Sequence, residues 1–166
     1  TERKRSEQAL LKSEKRFRSL IANAGDLIVV IDSNGVIQFA SPSSERILGY
    51  LPEEAIGRNF TEWVNPEDLS QVLSSLAGRT KEQGVALESI KTRGRHKNGS
   101  WRILDTIGTS LIHEPAIEGI VLNIRDITER ELTEEALRAS EAQFRAIFEG
   151  AAIGIALVDT SGHPVK

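Results

Sequence analysis

The sequence contains no cysteine and no methionine in 166 residues. Without thiols there is no disulfide, no thiolate nucleophile, no cysteine–flavin adduct and no cysteine-ligated metal. Histidine is scarce, at three. The longest apolar run, Leu27 to Ile31, falls far short of the about 20 residues that a bilayer-spanning helix needs. No signal peptide is visible, so the cytoplasm is the expected compartment, although the parent protein can be membrane-bound elsewhere. A strong positive excess is lacking too: the net charge of −3 argues against a nucleic-acid partner. No phosphate-binding loop, catalytic triad or paired-carboxylate arrangement occurs, so no enzyme activity is expected of this segment.

What is present is a phrase written twice. TERKRSEQALLKSEKRFR opens the chain and TERELTEEALRASEAQFR returns near its end, with Thr1 on Thr128 at an offset of 127 residues. The register continues, since IVVIDSNG (28–35) falls on IALVDTSG (155–162). Self-similarity of this kind marks a tandem array. The expected division is a connector helix from a preceding unit at 1–13, one whole unit at 14–130, a second connector helix at 131–149, and the truncated start of another unit at 150–166.

Periodicity gives the elements. Residues 2 to 24 read as a helix with Leu10, Phe17, Leu20 and Ala24 on one face, ended by Gly25. LIVVI (27–31) and VIQFA (36–40) read as strands joined by the turn Asp32-Ser33-Asn34-Gly35. Short helical pieces follow, with Ser41 as a cap, Pro42 at the first helical position, Glu45 to Leu48 next, and another start at Pro52-Glu53-Glu54. Asn65-Pro66-Glu67-Asp68 predicts a helix to about Glu82, with Leu69, Val72, Leu73 and Leu76 buried, closed by Gly84. Residues 86–96 and 101–112 predict a hairpin turning on Asn98-Gly99, which pairs His96 with Trp101. Trp101, Ile103, Ile107 and Leu111 form the apolar alternation of its second strand, broken at Leu104 and Asp105. Residues 119–126 predict the last strand, and Thr128 with Glu131 a capping box for the helix that follows. The class is α+β, an antiparallel sheet with helices on one face.

IDSNGVIQFASPSSERILGYLPEEAIGRNF, NPED, HKNGSW and GIVLNIRDITER together resemble the PAS family with its C-terminal PAC motif, over about residues 14 to 130. Asp126-Ile127-Thr128, after a strand and before a helix, is the most specific part. The resemblance implies a five-stranded antiparallel sheet with a pocket between its inner face and the short helices. It also implies a sensory or scaffolding role in a larger signalling protein, often a histidine kinase or a cyclic-dinucleotide enzyme. One departure is Ser41, where many relatives carry Asn before the Pro; it is expected to loosen a local hydrogen bond without threatening the fold. The expected pocket lining is Ile31, Ile47, Phe60, Trp63, Ile103, Ile107, Ile120, Leu122 and Ile124. In relatives the residue matching Asp126 ties the last strand to the Trp-bearing strand or to the following helix. Asp126, Ile127, Thr128, Trp101 and Arg125 are therefore the expected coupling residues.

Cofactor chemistry is not expected. Relatives that bind flavin covalently carry cysteine after Gly-Arg-Asn and an inward glutamine on the last strand. Here Phe60 follows Gly57-Arg58-Asn59, and Ile124 holds the glutamine position. Relatives that bind haem use an axial histidine, commonly on the long helix; residues 66 to 83 have none, and the chain offers no methionine as second ligand. His96, His113 and His163 read as surface residues that form no metal site. His113-Glu114 resembles a kinase phosphoacceptor pair, but it ends a strand beside Pro115 instead of lying on a helix. Arg93, Arg95, His96, Lys97 and Arg102 form a basic hairpin tip, read either as a solvated turn or as a contact for an anion or partner.

The repeated phrase reads as a relay. Its heptad places Arg130, Leu137, Phe144 and Ala151 at a, with Thr133, Ser140 and Ile147 at d. The first copy gives Arg3, Leu10, Phe17 and Ala24, with Ser6, Ser13 and Leu20. Half of this seam is small or polar, so a weak parallel homodimer able to shift register is expected through Leu10, Phe17, Leu20, Leu137, Phe144 and Ile147. The competing expectation is an amphipathic helix lying on its own sheet. Neighbouring domains of the same chain are the other expected partners, and a receptor for a small apolar ligand or a structural dimerisation spacer are the alternatives. The head of the second copy (Ile153, Ile155, Leu157, Val158) is an unpaired apolar strand, expected to be disordered or borrowed by a neighbour.

Overall fold

A computed structural model describes residues 1–79 and 84–151. The strand expected around Ile153 to Val158, His163 and the end of the long helix near Glu82 lie outside the described residues. The chain divides into a unit Thr1–Thr128 and a second unit from Glu129 onward. The first holds helix α1 (Glu2–Ala22), strands β1 (Leu27–Ile31) and β2 (Ile37–Ala40), and helices α2 (Ser43–Leu48) and α3 (Pro52–Ala55). A 3-10 turn (Phe60–Glu62), helix α4 (Leu69–Arg79) and strands β3 (Ile90–Arg95), β4 (Trp101–Leu111) and β5 (Gly119–Asp126) complete it. Helix α5 (Thr128–Ala151) begins at its end and forms the described part of the second unit.

The fold is α+β, with one five-stranded sheet in the order β2-β1-β5-β4-β3 and every pairing antiparallel. β5 closes the sheet by pairing with the first strand: Leu27 faces Ile124, Val29 faces Leu122 and Ile31 faces Ile120. These side chains point toward the short helices and form the core with Ile37, Ala40, Ile47 and Leu104. Fully burying one of the valine, leucine or isoleucine side chains contributes about 1.5–3 kcal/mol. Both sheet edges are capped by one segment. Asn59 bridges to Val36 beside β2, and Val64 bridges to Gly94 on β3. Residues 59–64 thus cross the inner face as a strap tied to one end of each edge strand.

Several expected details shift. The hairpin does not turn on two residues. Gly99 N–H donates to His96 O, Gly99 takes φ +88°, and Arg95, not His96, faces Trp101. This is a turn followed by a glycine bulge, which adds a residue to the loop. β4 accordingly turns Leu104, Thr106, Gly108 and Ser110 inward, while Ile107 is 44% exposed on the opposite face. α4 starts at Leu69 because Asn65 to Asp68 form a closed turn: Asp68 N–H donates to Asn65 O, and Glu67 N–H donates to Asn65 Oδ1. Leu73, expected on the buried face of α4, is exposed. Ser41 does not cap α2. It is fully buried, accepts from Ile28 N–H and bonds Ser43 Oγ.

Candidate functional site

Between the sheet and the short helices lies a cavity of about 130 Å³. Leu122 and Ile124 of β5, with Leu27 and Val29, form its floor; Leu48 of α2 and Leu76 of α4 form walls; Phe60 and Trp63 descend from the strap. Trp63 is fixed on two sides, with the Tyr50 ring edge-on at 5.8 Å and the Arg58 guanidinium 4.9 Å from its centroid. An apolar cavity of this size stays dry, and one of about 150 Å³ admits benzene. Pockets for drug-sized ligands begin near 300 Å³. A single small apolar ring is what the space can take without rearrangement.

Of the expected lining, Phe60, Trp63, Leu122 and Ile124 do border the cavity. Ile31 and Ile120 are buried inner-face residues farther along the sheet, where they border a separate hollow with Asp32 and Asn59. Ile47 packs in the core without bordering the cavity. Ile103 and Ile107, expected in the lining, lie on the outer face, because the alternation of β4 turns Leu104, Thr106, Gly108 and Ser110 inward. Gly108 shows why. A Cβ there would stand 2.9 Å from Leu87 Cδ1 and 3.3 Å from Leu122 Cδ2. Small size, which weakens an apolar count, is what the crowded inner face requires.

The strand-to-helix junction is built from Asp126 and Thr128. Asp126 Oδ1 accepts from Thr128 N–H at 2.9 Å and from the Thr128 hydroxyl, whose oxygen in turn accepts from Ile103 N–H at 2.9 Å. Ile127 N–H donates to Ile103 O, and the Ile127 side chain is buried. Asp126 therefore receives the first amide, while the Thr128 hydroxyl is spent on β4. The other Asp126 oxygen lies 4.0 Å from Arg102 Nη1. Trp101 is 42% exposed and faces Arg95, with Asp126 facing Leu104 in register. Arg125 points to the other face and grips Asp26 through two bonds of 3.0 Å. That carboxylate pushes the Arg125 pKa up.

The basic hairpin tip is largely neutralised. Arg93 bonds Asp68 and Glu67, and Lys97 bonds Glu54 at 2.6 Å. The Arg93 guanidinium holds the Asp68 carboxyl below its usual range, and Lys97 together with Leu51 N–H does the same to Glu54. Among the described residues, no group of three or more His, Asp or Glu could hold a metal ion, and no helix is long and apolar enough to cross a membrane.

The seam residues are bare. α1 buries no residue, and Leu10, Phe17 and Leu20 are each 60–70% exposed. On α5, Leu137, Phe144 and Ile147 are exposed as well, and Phe144 stacks on Phe148 at 6.0 Å. α1 therefore does not lie on its own sheet. Asp26 at the root of α1, and Ser43 and Arg46, which bind that root, were not singled out by the sequence; no spacing or composition signal marks them.

A family model described as the PAS fold matches residues 15–127. Among curated proteins, the sensor protein FixL of Bradyrhizobium diazoefficiens is 28% identical over 157 residues, covering 92% of this chain and 30% of its own length. Sporulation kinase E of Bacillus subtilis is 29% identical over 159 residues, covering 96% of this chain and 21% of its own length. The chain thus spans under a third of these relatives. Among solved structures, the PAS domain of an HTR-like protein from Haloarcula marismortui superposes with a TM-score of 0.64 at 24% identity, covering 75% of this chain and 99% of that one. A PAS domain from Colwellia psychrerythraea gives 0.60 at 27% identity, covering 69% and 97%.

Proposed function

This chain belongs to the PAS family, and on that premise we propose that it is a sensory and relay module of a larger cytoplasmic signalling protein. It passes conformational change between neighbouring domains through its connector helices. The output activity, of the histidine-kinase or cyclic-dinucleotide kind, lies outside this segment. The observation that carries the reading is the repeated seam left bare on both connectors: Leu10, Phe17 and Leu20 on α1, and Leu137, Phe144 and Ile147 on α5. Exposed apolar side chains at heptad spacing gain from a second copy, and the small and polar residues between them keep that pairing weak. A parallel homodimer through these helices is the proposed assembly. The test is an insertion after Ala139 in the full-length protein. One added residue should abolish output and seven should largely keep it, because seven restore the face. Equal output from the two would rule out a register-sensitive relay.

The second reading, a receptor for a small apolar ligand, is favoured by the cavity beneath the strap. Native mass spectrometry of freshly purified protein separates it from a structural dimerisation spacer: a stoichiometric adduct supports the receptor and a clean apo mass the spacer. The module is proposed to hold neither flavin nor haem. Support comes from the Phe60 and Ile124 side chains at the flavin positions and from a cavity lining without histidine. An absorption band near about 450 nm, or a Soret band near about 400 nm, in unreconstituted protein would overturn that.

A further inference from the structure

α1 has no buried residue, so its direction relative to the domain is set at its root. Three consecutive carbonyls there accept bonds from side chains of α2. Arg46 Nη2 donates to Ala24 O at 3.1 Å and to Gly25 O at 3.0 Å. Ser43 Oγ donates to Asp26 O at 2.9 Å. Carbonyls at and just past a helix end have no intrahelical donor and favour positive charge. The last turn of α1 carries no basic residue of its own, so Arg46 supplies that charge from another element. Both bonds leave one nitrogen, Nη2, whose two N–H groups are held in the guanidinium plane and so aim at adjacent acceptors in a fixed direction, which an ammonium on a flexible stem does less well. Arg125 adds a further hold on this root through the Asp26 carboxylate.

We propose that Arg46 is a positioning residue that fixes the orientation of α1 to helix α2. The inference rests on the relay reading for its functional meaning, but its structural content stands apart. α2 is a single short helix whose Ser44 and Leu48 border the cavity, while Arg46 and Ser43 hold the root of α1. One element is therefore cavity wall and helix anchor together, and a displacement of α2 reaches residues 24 and 25 through Arg46 Nη2 and residue 26 through Ser43. The next residue after Arg125, Asp126, binds Thr128 at the start of α5, so the contacts to the entry and to the exit of the domain lie on adjacent residues of β5.

The test compares the 166-residue chain with Arg46→Gln and Arg46→Lys by residual dipolar couplings of α1 amides measured against those of the sheet. Arg46 is exposed, so both variants should fold with sheet couplings and melting temperature unchanged. In Arg46→Gln the α1 couplings should fall by about half or more as the helix samples a wider cone, and Arg46→Lys should not restore them. Couplings in α1 that match wild type in Arg46→Gln would overturn the inference, whatever the output of the full-length protein. If α1 is freed while full-length output stays unchanged, the anchor stands and the relay reading fails.

Discussion

The guanidinium of Arg93 closes on the carboxylate of Asp68, with Nε 3.0 Å from Oδ2 and Nη2 2.8 Å from Oδ1. Arg93 N–H donates to the same Oδ2 at 2.8 Å. One carboxylate thus pins the turn before α4 to edge strand β3. Because the folded pKa of Asp68 lies below its usual value, its contribution is fully present above the unfolded value of about 4 and is lost as pH falls through the folded value. Glu54 behaves in the same sense. The expected result is a melting temperature that is flat above about pH 5 and falls below about pH 4. Asp68→Asn should be less stable at neutral pH and show a shallower acid limb. An acid limb identical to wild type would show that this pair does not set it.

Gly119 opens β5 with its Cα against β1. A Cβ there would stand 2.5 Å from Ile31 O, a backbone atom inside a paired strand. Gly94 is nominally tighter, at 2.4 Å, but its neighbour is Leu104 Cδ1, a side-chain end that borders the cavity and can swing into it. Overpacking costs about 1–3 kcal/mol when the neighbours cannot move. Gly119→Ala should therefore lose about 1–3 kcal/mol in urea unfolding, and Gly94→Ala clearly less, with m unchanged in each. The reverse ranking would mean that the cavity does not relieve crowding at Leu104.

Most of the fold was legible because its signals are local. LIVVI, the Asp32-to-Gly35 turn and the repeated helical phrase each declare their element without help from distant residues. The site was less so. The inner face of β4 could not be read from apolar count, since Ile103 and Ile107 are the large side chains and Thr106 and Gly108 the inward ones. The extra residue in the His96–Gly99 turn, which moves Arg95 opposite Trp101, depends on Gly99 taking positive φ. The strap is invisible to periodicity, because Asn59 and Val64 meet their partners through tertiary bridges. The place of Arg125 beside Asp126 says nothing of its partner, which is Asp26, 99 residues away.

The cavity offers a direct test of what it can hold. An unfilled space of about 130 Å³ costs up to about 3 kcal/mol at about 24 cal/mol per Å³. A ligand that fills it without strain recovers part of that. Benzene at millimolar concentration should raise the melting temperature, while naphthalene at its solubility limit should not. Ser75→Leu, which extends an apolar side chain from α4 into the same space, should raise stability and remove the benzene effect. A benzene shift that persists in Ser75→Leu would place the binding elsewhere.

Thr128 is the last link between sheet and connector. Its hydroxyl accepts from Ile103 N–H and donates to Asp126. Valine is nearly isosteric with threonine, so Thr128→Val removes the hydroxyl while keeping the shape. It leaves a part-buried amide on β4 and one carboxylate oxygen short of a donor, at a cost of about 1–3 kcal/mol. Thr128→Ser keeps the hydroxyl and should lose well under about 1 kcal/mol, mainly through the missing methyl. Asp126→Asn still offers a carbonyl oxygen to the Thr128 amide and hydroxyl, so it should fall between them. Hydrogen exchange locates the effect: in Thr128→Val the Ile103 amide and the first turn of α5 should exchange faster, with β1 and β2 unchanged. The ranking follows from how much of the Ile103–Thr128–Asp126 chain of hydrogen bonds each variant keeps: all of it in Thr128→Ser, a neutral acceptor in place of the carboxylate in Asp126→Asn, and no hydroxyl in Thr128→Val. A valine variant as stable as the serine variant, with Ile103 equally protected, would mean that the threonine hydroxyl does not join β4 to the connector.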